Sequence, residues 1–254
     1  MRDNSPMSLT IASPDFQPRC FALVPCAGVG ERAGAGGPKQ YHPVAGRAMV
    51  AHTLASLRAV PRIDATLVVL SPEDDQFERH VPDWQGDGAW VARVGGASRA
   101  HSVANGLNEL LERGAQPHDW VLVHDAARCL ISVDAVNRLI DACLPDEVGG
   151  ILALPLADTL KASAQDADGL TRAVETIDRS AKWAAQTPQM FRVGLLRPAL
   201  MLGLSAPELA ASITDEASAI EGLGHQPLLV RGDYENFKVT WPGDFALAER
   251  LLRV

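Results

Sequence analysis

The sequence lacks a hydrophobic stretch that could cross a membrane. No apolar run in its 254 residues approaches the roughly 18 residues that a transmembrane helix needs. The first twenty residues also lack the apolar core of a secretory signal. We therefore expect a cytoplasmic protein with no membrane partner.

Closely spaced metal-ligand motifs and an excess of positive charge are also missing. The four cysteines show no C-x-x-C spacing, so we expect reduced thiols. The seven histidines show no H-x-x-x-H pattern, and we predict no zinc. The net charge of −8 argues against nucleic acid as a partner, because binding to its phosphates needs a basic face. The negative net charge still allows a small phosphorylated ligand to bind, provided that a few cationic side chains lie close together in the fold.

Strand-like and helix-like segments alternate along most of the chain. Continuous apolar runs predict strands buried on both faces, as in a parallel sheet covered by helices. This alternation predicts a three-layer α/β/α domain with a mostly parallel sheet. The predicted strands are 21–24, 65–70, 90–94, 120–123, 151–155 and 226–230, and the predicted helices are 48–59, 97–113, 133–144, 194–202, 215–221 and 242–253.

The alternation breaks between Pro155 and Arg179. There the pattern predicts two strands joined by the polar tip QDADG (165–169), with Asp-Gly as the turn signal. Such an inserted β-hairpin arm could pack on a second subunit or lie on its own domain, and both readings remain open. We assign one domain to residues 19–254 with the arm at about 155–179, and we expect residues 1–18, with three prolines, to form a disordered lead.

A glycine-rich loop, VPCAGVGERAGAGGPKQ (24–40), follows the first predicted strand. Its G-x-G-x-x-A match at 28–33 is followed by helix-breaking residues, and no acid ends the second strand, which argues against a dinucleotide site. Lys39 also lacks the neighbours of a Walker motif. The backbone N–H groups of such a loop can still wrap an anion. Arg32 and Lys39 add two positive charges, so the loop suits a triphosphate.

Asp125 ends the fourth predicted strand, at the same sheet edge as the loop. A carboxylate at this place can coordinate Mg²⁺, which in turn holds phosphate oxygens. The alternative is a structural acid that caps the next turn. Arg128 adds a cation nearby, whereas His124 faces the other side of the strand and is expected to be packed.

The ordered set of motifs resembles a known family. A strand followed by P-x-A-G-x-G-x-R and P-K-Q is similar to nucleotidyltransferases that join a nucleoside triphosphate to a sugar or polyol phosphate. With the later motifs, the chain resembles the 2-C-methyl-D-erythritol 4-phosphate cytidylyltransferases of the non-mevalonate isoprenoid pathway, over about residues 20–253. We expect no fused cyclase domain. The later motifs are GGASRAHSV (95–103), VHDAAR (123–128), DTLK (158–161), DR (178–179), QTPQ (186–189), TDEAS (214–218) and FKVT (237–240).

The resemblance implies a Rossmann-like nucleotidyltransferase fold and a reaction. CMP would pass from CTP to 2-C-methyl-D-erythritol 4-phosphate, with release of pyrophosphate, by direct in-line attack of the acceptor phosphate on the α-phosphate. It further implies Mg²⁺ as cofactor and a homodimer whose arms reach the partner's site. The implied catalytic residues are Arg32, Lys39, Arg179 and Lys238; the implied CTP-binding residues are Ala27, Gly28, Gly30, Gly95, Gly96 and Ser102; the implied acceptor-binding residues are Asp125, Arg128, Thr159, Arg179 and Lys238, with Asp125 also on the metal.

Three positions depart from the family pattern. Ala97 stands where some relatives have an acid, Glu31 where some have arginine, and Cys129 where proline is common. Two alternatives remain open: a cytidylyltransferase acting on ribitol 5-phosphate, and a non-catalytic nucleotide-binding protein on the same scaffold. The presence of the loop cations and of Asp125 argues against the second.

Overall fold

A computed structural model describes residues 17–28, 37–205, 207–210 and 212–253. Eleven strands occur in these ranges. Seven form the central sheet: β1 (Cys20–Pro25), β4 (Ala65–Val69), β5 (Ala89–Ala92), β6 (Trp120–Val123), β7 (Gly149–Pro155), β10 (Trp183–Arg192) and β11 (Leu228–Arg231). Two pairs form small separate sheets: β2 (Pro43–Val44) with β3 (Arg47–Ala48), and β8 (Leu160–Gln165) with β9 (Thr171–Ile177).

The central sheet has the order β11-β7-β10-β6-β1-β4-β5. Six of its strands run in one direction, and β10 runs against its neighbours β6 and β7. The prediction of a mostly parallel sheet is confirmed. The sequence pattern missed β10, because its polar QTPQ segment interrupts the apolar alternation and shifts the register between Ala185 and Gln189.

Helices cover both faces of the sheet. Within the described ranges they are α1 (Met49–Arg58), α2 (Phe77–His80), α3 (Arg99–Glu112), α4 (Val133–Cys143), α5 (Val193–Leu204), α6 (Pro207–Ala210), α7 (Glu216–Glu221) and α8 (Pro242–Leu252), with a 3-10 turn at Lys39–Tyr41. Side-chain caps set two of the starts: Ser98 accepts from the backbone N–H of His101, and Ser132 accepts from that of Ala135. Pro242 opens α8, where its missing N–H costs no helix hydrogen bond.

Successive residues of β1 enter two different cores. Ala22 and Val24 pack in the cluster under α1 and α4, whereas Phe21 and Leu23 pack in the cluster under α3 and α5. This alternation follows from the two-residue period of a strand. The three-layer α/β/α arrangement is therefore confirmed, and the strand ends, not the buried strand bodies, are left to form a site.

The hairpin β8–β9 projects from the sheet as the predicted arm. Its residues are exposed along almost the whole length, including the apolar side chains of Leu170 and Val174. Pairing of Pro155 with Trp183 joins its base to the ends of β7 and β10. The tip forms as predicted: Asp166 accepts from two backbone N–H groups of the turn, and Gly169 takes a φ of +75°. Residues 1–16 of the expected N-terminal lead lie outside the described residues.

Candidate active site

A cleft of about 690 Å³ opens at the carboxyl ends of β1, β5 and β6. Open α/β sheets bind ligands at this edge, and the volume is in the range of small-ligand sites. The structure brings many of the predicted residues together here. The predicted residues that line the cleft are Ala27, Gly28, Lys39, Gly96, Ser102, Asp125 and Lys238.

Asp125 lies within reach of three cations. Its Oδ1 accepts from Nε of Arg99 at 2.8 Å, and its Oδ2 is 2.9 Å from Nζ of Lys238 and 3.6 Å from Nε of Arg128. Burial raises the pKa of this carboxyl, but the three positive charges outweigh burial and hold the pKa well below its usual range. Asp125 is therefore an anion at neutral pH, surrounded by groups that also suit phosphate.

Arg99 and Glu216 were not singled out from the sequence. The guanidinium of Arg99 reaches from Asp125 to Glu216, whose two carboxylate oxygens it binds at 2.7 and 3.0 Å. The side chain of Glu216 is 1% exposed. Both residues lie inside motifs that carried the family resemblance, GGASR and TDEAS, and membership in these motifs was the signal that the sequence offered.

Lys39 joins the loop side of the cleft to the C-terminal segment. Its Nζ donates to the carbonyl of Val239 at 2.9 Å. The next residue, Gln40, is buried and donates to the carbonyl of Cys26 at 3.1 Å, which fixes the 3-10 turn against the end of β1. The ammonium group of Lys39 is thus presented to the same space as Lys238 and Asp125.

The segment 95–102 forms the opposite wall through its backbone. The Oγ of Ser102 accepts from the N–H of Gly96 at 3.1 Å and donates to the carbonyl of Ser98 at 3.0 Å, so this hydroxyl braces the segment. Gly95 packs against the end of β4, where an added Cβ would lie 2.7 Å from the carbonyl oxygen of Leu70. That approach admits only glycine. Ala97 also faces the cleft, without the acid that some relatives carry there.

His124 is buried behind Asp125, as expected. Its Nε2 donates to the carbonyl of Arg128 at 3.1 Å, so Nδ1 accepts from the hydroxyl of Thr187 at 3.0 Å. That hydroxyl oxygen in turn accepts from the backbone N–H of Asp125 at 3.0 Å. Burial lowers the pKa of His124 to about 4, so the ring is neutral at pH 7. His124 therefore orders the turn that carries Asp125.

Five predicted residues lie elsewhere in this chain or outside its described part. Arg128 lies beside Asp125 but does not line the cleft, and it donates to the carbonyl of Asn236 at 2.7 Å. Thr159 is exposed on the arm, and Arg179 lines a separate cavity at the arm's base. The predicted roles of Gly30 and Arg32, and the departure at Glu31, fall on residues outside the described ranges.

The donor set suits a divalent cation that arrives with phosphate. No group of three or more His, Cys, Asp or Glu side chains that could hold a metal occurs in the described part of the chain. Asp125 supplies a carboxylate to the cleft, while Glu216 is bound by Arg99. Mg²⁺ commonly takes one or two carboxylates and fills its other positions with substrate phosphates and water. Asp125 fits that pattern.

Solved structures first place this fold among the nucleotidyltransferases. The structure titled "Crystal structure of 4-diphosphocytidyl-2C-methyl-D-erythritol synthase" matches with a TM-score of 0.79 and 40% identity, over 93% of this chain and 99% of that one. The model of the family IspD, 2-C-methyl-D-erythritol 4-phosphate cytidylyltransferase, matches residues 20–254. The chain belongs to this family and is a cytidylyltransferase.

Two curated relatives have sequences similar to the sequence of this chain. The 2-C-methyl-D-erythritol 4-phosphate cytidylyltransferase of Burkholderia cenocepacia is 52% identical over 92% of this chain and 96% of its own length. The bifunctional enzyme IspD/IspF of Albidiferax ferrireducens is 54% identical over 95% of this chain, which spans 55% of that longer protein. Among the described helices, none is long and apolar enough to cross a membrane.

Proposed function

We propose that this chain transfers CMP from CTP to 2-C-methyl-D-erythritol 4-phosphate. The products are 4-diphosphocytidyl-2-C-methyl-D-erythritol and pyrophosphate. One observation supports this function most directly: Lys39, Lys238 and Asp125 meet in one cleft between two glycine-containing backbone segments. Those groups suit a triphosphate and a second phosphate, and the family of the chain is named for this transfer.

CTP occupies the wall formed by the loop and by residues 95–102. Gly28 and the neighbouring loop amides cradle the triphosphate, and Lys39 and Arg32 stabilise the negative charge that develops on the α-phosphate. Gly95 and Gly96 frame the cytosine, with Ser102 holding their segment in shape. The walls of the cleft are backbone here, so the base is recognised largely by shape and by main-chain groups.

The acceptor phosphate attacks the α-phosphate in line. A phosphate monoester is already largely dianionic at neutral pH, so the step needs little help from a general base. Catalysis then consists of holding two phosphates in line and neutralising their charge. Lys238 holds the acceptor phosphate, together with Thr159 and Arg179 from the arm of a second copy of the chain. Arg128 supports this region from behind Asp125.

A divalent cation is part of the proposal. Asp125 and the phosphate oxygens of CTP would hold Mg²⁺. When bound, the ion neutralises charge on the triphosphate and on the departing pyrophosphate. The ion pair between Asp125 and Lys238 keeps both groups at the cleft before the substrates enter.

The arm supports a homodimer. In this single chain Thr159 and Arg179 stay away from the cleft, and the arm carries exposed apolar side chains. A symmetric partner would cover that surface and bring each arm to the other copy's cleft. A cytoplasmic location belongs to the same proposal. The four cysteines are free and buried, as is usual for proteins of reducing compartments.

The test is release of pyrophosphate by the purified chain with Mg²⁺ and CTP. The acceptors are 2-C-methyl-D-erythritol 4-phosphate and ribitol 5-phosphate, and each component is omitted in turn. We expect release that requires CTP, Mg²⁺ and the methylerythritol acceptor. Release with ribitol 5-phosphate alone would contradict the proposed acceptor. CTP binding without release with either acceptor would favour a non-catalytic nucleotide-binding protein.

A further inference from the structure

The two oxygens of the Asp125 carboxylate have different kinds of partner. Oδ1 faces Arg99, whose Nε, Nη1 and Nη2 all donate to protein carboxylates. Oδ2 faces Nζ of Lys238 at 2.9 Å, on a flexible side chain that is 39% exposed, and Nε of Arg128 lies farther off at 3.6 Å. A rigid guanidinium with three such bonds resists displacement, whereas an ammonium on a flexible stem exchanges its partner more easily.

The far end of Arg99 is itself fixed to the sheet. Glu216 is the first residue of α7, and Asp215 caps that helix by accepting from the N–H of Ser218 at 2.9 Å. Gln189 on β10 donates to Asp215 at 2.8 Å and accepts from the N–H of Ala217 at 2.8 Å. The carboxylate of Glu216 therefore has a defined place, and it compensates the charge of Arg99.

We infer that Arg99 is a positioning residue and Glu216 its anchor. Held by Glu216, the guanidinium of Arg99 fixes Oδ1 of Asp125 and orients the carboxylate, so that Oδ2 is the oxygen that exchanges Lys238 for a divalent cation. Because Glu216 neutralises Arg99, the charge of Asp125 stays available to that cation. The inference rests on the proposed function, since it concerns the residue assigned to the metal.

The variant Glu216→Gln keeps the shape of the anchor and removes its charge. Arg99 then acts more strongly on Asp125, which competes with the cation. We expect kcat to fall about tenfold and the Mg²⁺ concentration for half-maximal rate to rise about tenfold, as is typical when a group supporting a metal ligand is changed. We expect KM for CTP at saturating Mg²⁺ to stay within about twofold, because the triphosphate contacts are untouched.

A binding measurement avoids dependence on turnover. Titration of Mn²⁺ into protein with CTP, followed by electron paramagnetic resonance, gives the affinity for the ion directly. We expect weaker Mn²⁺ binding in Glu216→Gln. The matched control is Glu221→Gln on the exposed end of the same helix, which should leave both the rate and the Mn²⁺ affinity unchanged.

A double variant separates positioning from stability. Arg99→Met with Glu216→Leu replaces the ion pair between the partly exposed Arg99 and the buried Glu216 by apolar side chains, and such replacement of a buried charge together with its partner often preserves or improves stability. We expect normal thermal unfolding together with weak Mn²⁺ binding and slow turnover. Glu216→Gln or the double variant binding Mn²⁺ as tightly as the unmodified chain would overturn the inference. An unmodified chain that binds Mn²⁺ and CTP but releases no pyrophosphate would contradict the proposed function instead, and the Mn²⁺ affinities would still decide the role of Arg99.

Discussion

At the scale of single residues, the candidate site places one carboxylate next to three cationic side chains. Asp125 is almost buried, yet its pKa lies below the usual range because three cations surround it. The charge of Lys238 remains matched when phosphates enter, because phosphate oxygens replace the carboxylate of Asp125 as its partner. The charge of Lys238 therefore serves the empty cleft and the loaded one.

Lys39 should be essential for turnover and dispensable for folding. Lys39→Ala removes a positive charge from the α-phosphate, and loss of one such group typically costs about 10²–10³-fold in kcat. The fold loses the hydrogen bond from Lys39 to the carbonyl of Val239. Pyrophosphate release and thermal unfolding measure the two effects. Arg250→Ala on the exposed face of α8 is the control. Near-normal kcat in Lys39→Ala would remove this residue from the catalytic set.

His124 should make stability depend on pH below neutrality. Its pKa is about 4 in the folded protein and about 6.5 when unfolded, so only the unfolded chain takes up the proton in that window. The free energy of unfolding should therefore fall by about 3 kcal/mol as the pH drops from about 6.5 to about 4, and it should be fully present above that range.

Urea unfolding between pH 7 and pH 4 tests this expectation. His124→Gln removes the titrating ring, so its unfolding free energy should decline less steeply with falling pH than that of the unmodified chain. His225→Gln, at an exposed position, should keep the original slope. Equal slopes in all three proteins would show that His124 is not the source of the effect.

The site residues that the sequence predicted differ from those that it missed. The first kind lies in a recognisable motif, and the second kind depends on a partner far away in the chain. Lys39 and Asp125 were predicted because each bears a charge near a strand end, and Lys238 was predicted because it lies in a motif of the family resemblance. Arg99 and Glu216 lie 117 positions apart, and their bond joins the first residue of α3 to the first residue of α7, two helices that both pack against α5. No local pattern announces such a pair. The placement of Arg128 behind the cleft likewise depends on a distant carbonyl, that of Asn236.

At the scale of elements, local sequence patterns define β1 and β6, whereas contacts between distant segments define β10. The first two strands are continuous apolar runs, and the sequence predicts them well. β10 contains Pro188 and the polar Gln189, which donates to the side chain of Asp215 and accepts from the backbone N–H of Ala217. Its pairing depends on tertiary partners, which a periodicity argument does not see.

The arm should be needed for activity and unnecessary for the fold of the domain. We predict that replacing residues 159–179 by a short Gly-Ser turn abolishes pyrophosphate release, because Thr159 and Arg179 are lost. None of the described core clusters contains a residue of this segment, so the thermal midpoint should change little. A variant with only the tip, 166–169, replaced by Asn-Gly is the control. An armless protein with normal turnover would show that the arm takes no part in the reaction.

At the scale of the whole molecule, the arm predicts sharing of sites between subunits. Lys39→Ala and Arg179→Ala should each be nearly inactive alone. If each arm serves the partner, a mixed dimer has one site with both native residues. Equal mixing after subunit exchange should then restore about a quarter of the unmodified activity, because half of the dimers are mixed and each has one intact site. Mixtures with no gain in rate, despite exchange shown by mass spectrometry, would argue against shared sites.

The bond from Lys39 to Val239 spans 200 positions of the chain. This long separation affects how the cleft forms while the chain is synthesised on the ribosome. The glycine-rich loop is made early, but its lysine finds this partner only after the segment near Val239 has left the exit tunnel. Since contacts of such separation form late, a nascent chain that lacks this segment should hold nucleotide poorly. The cleft is thus completed only after the segment near Val239 has been made.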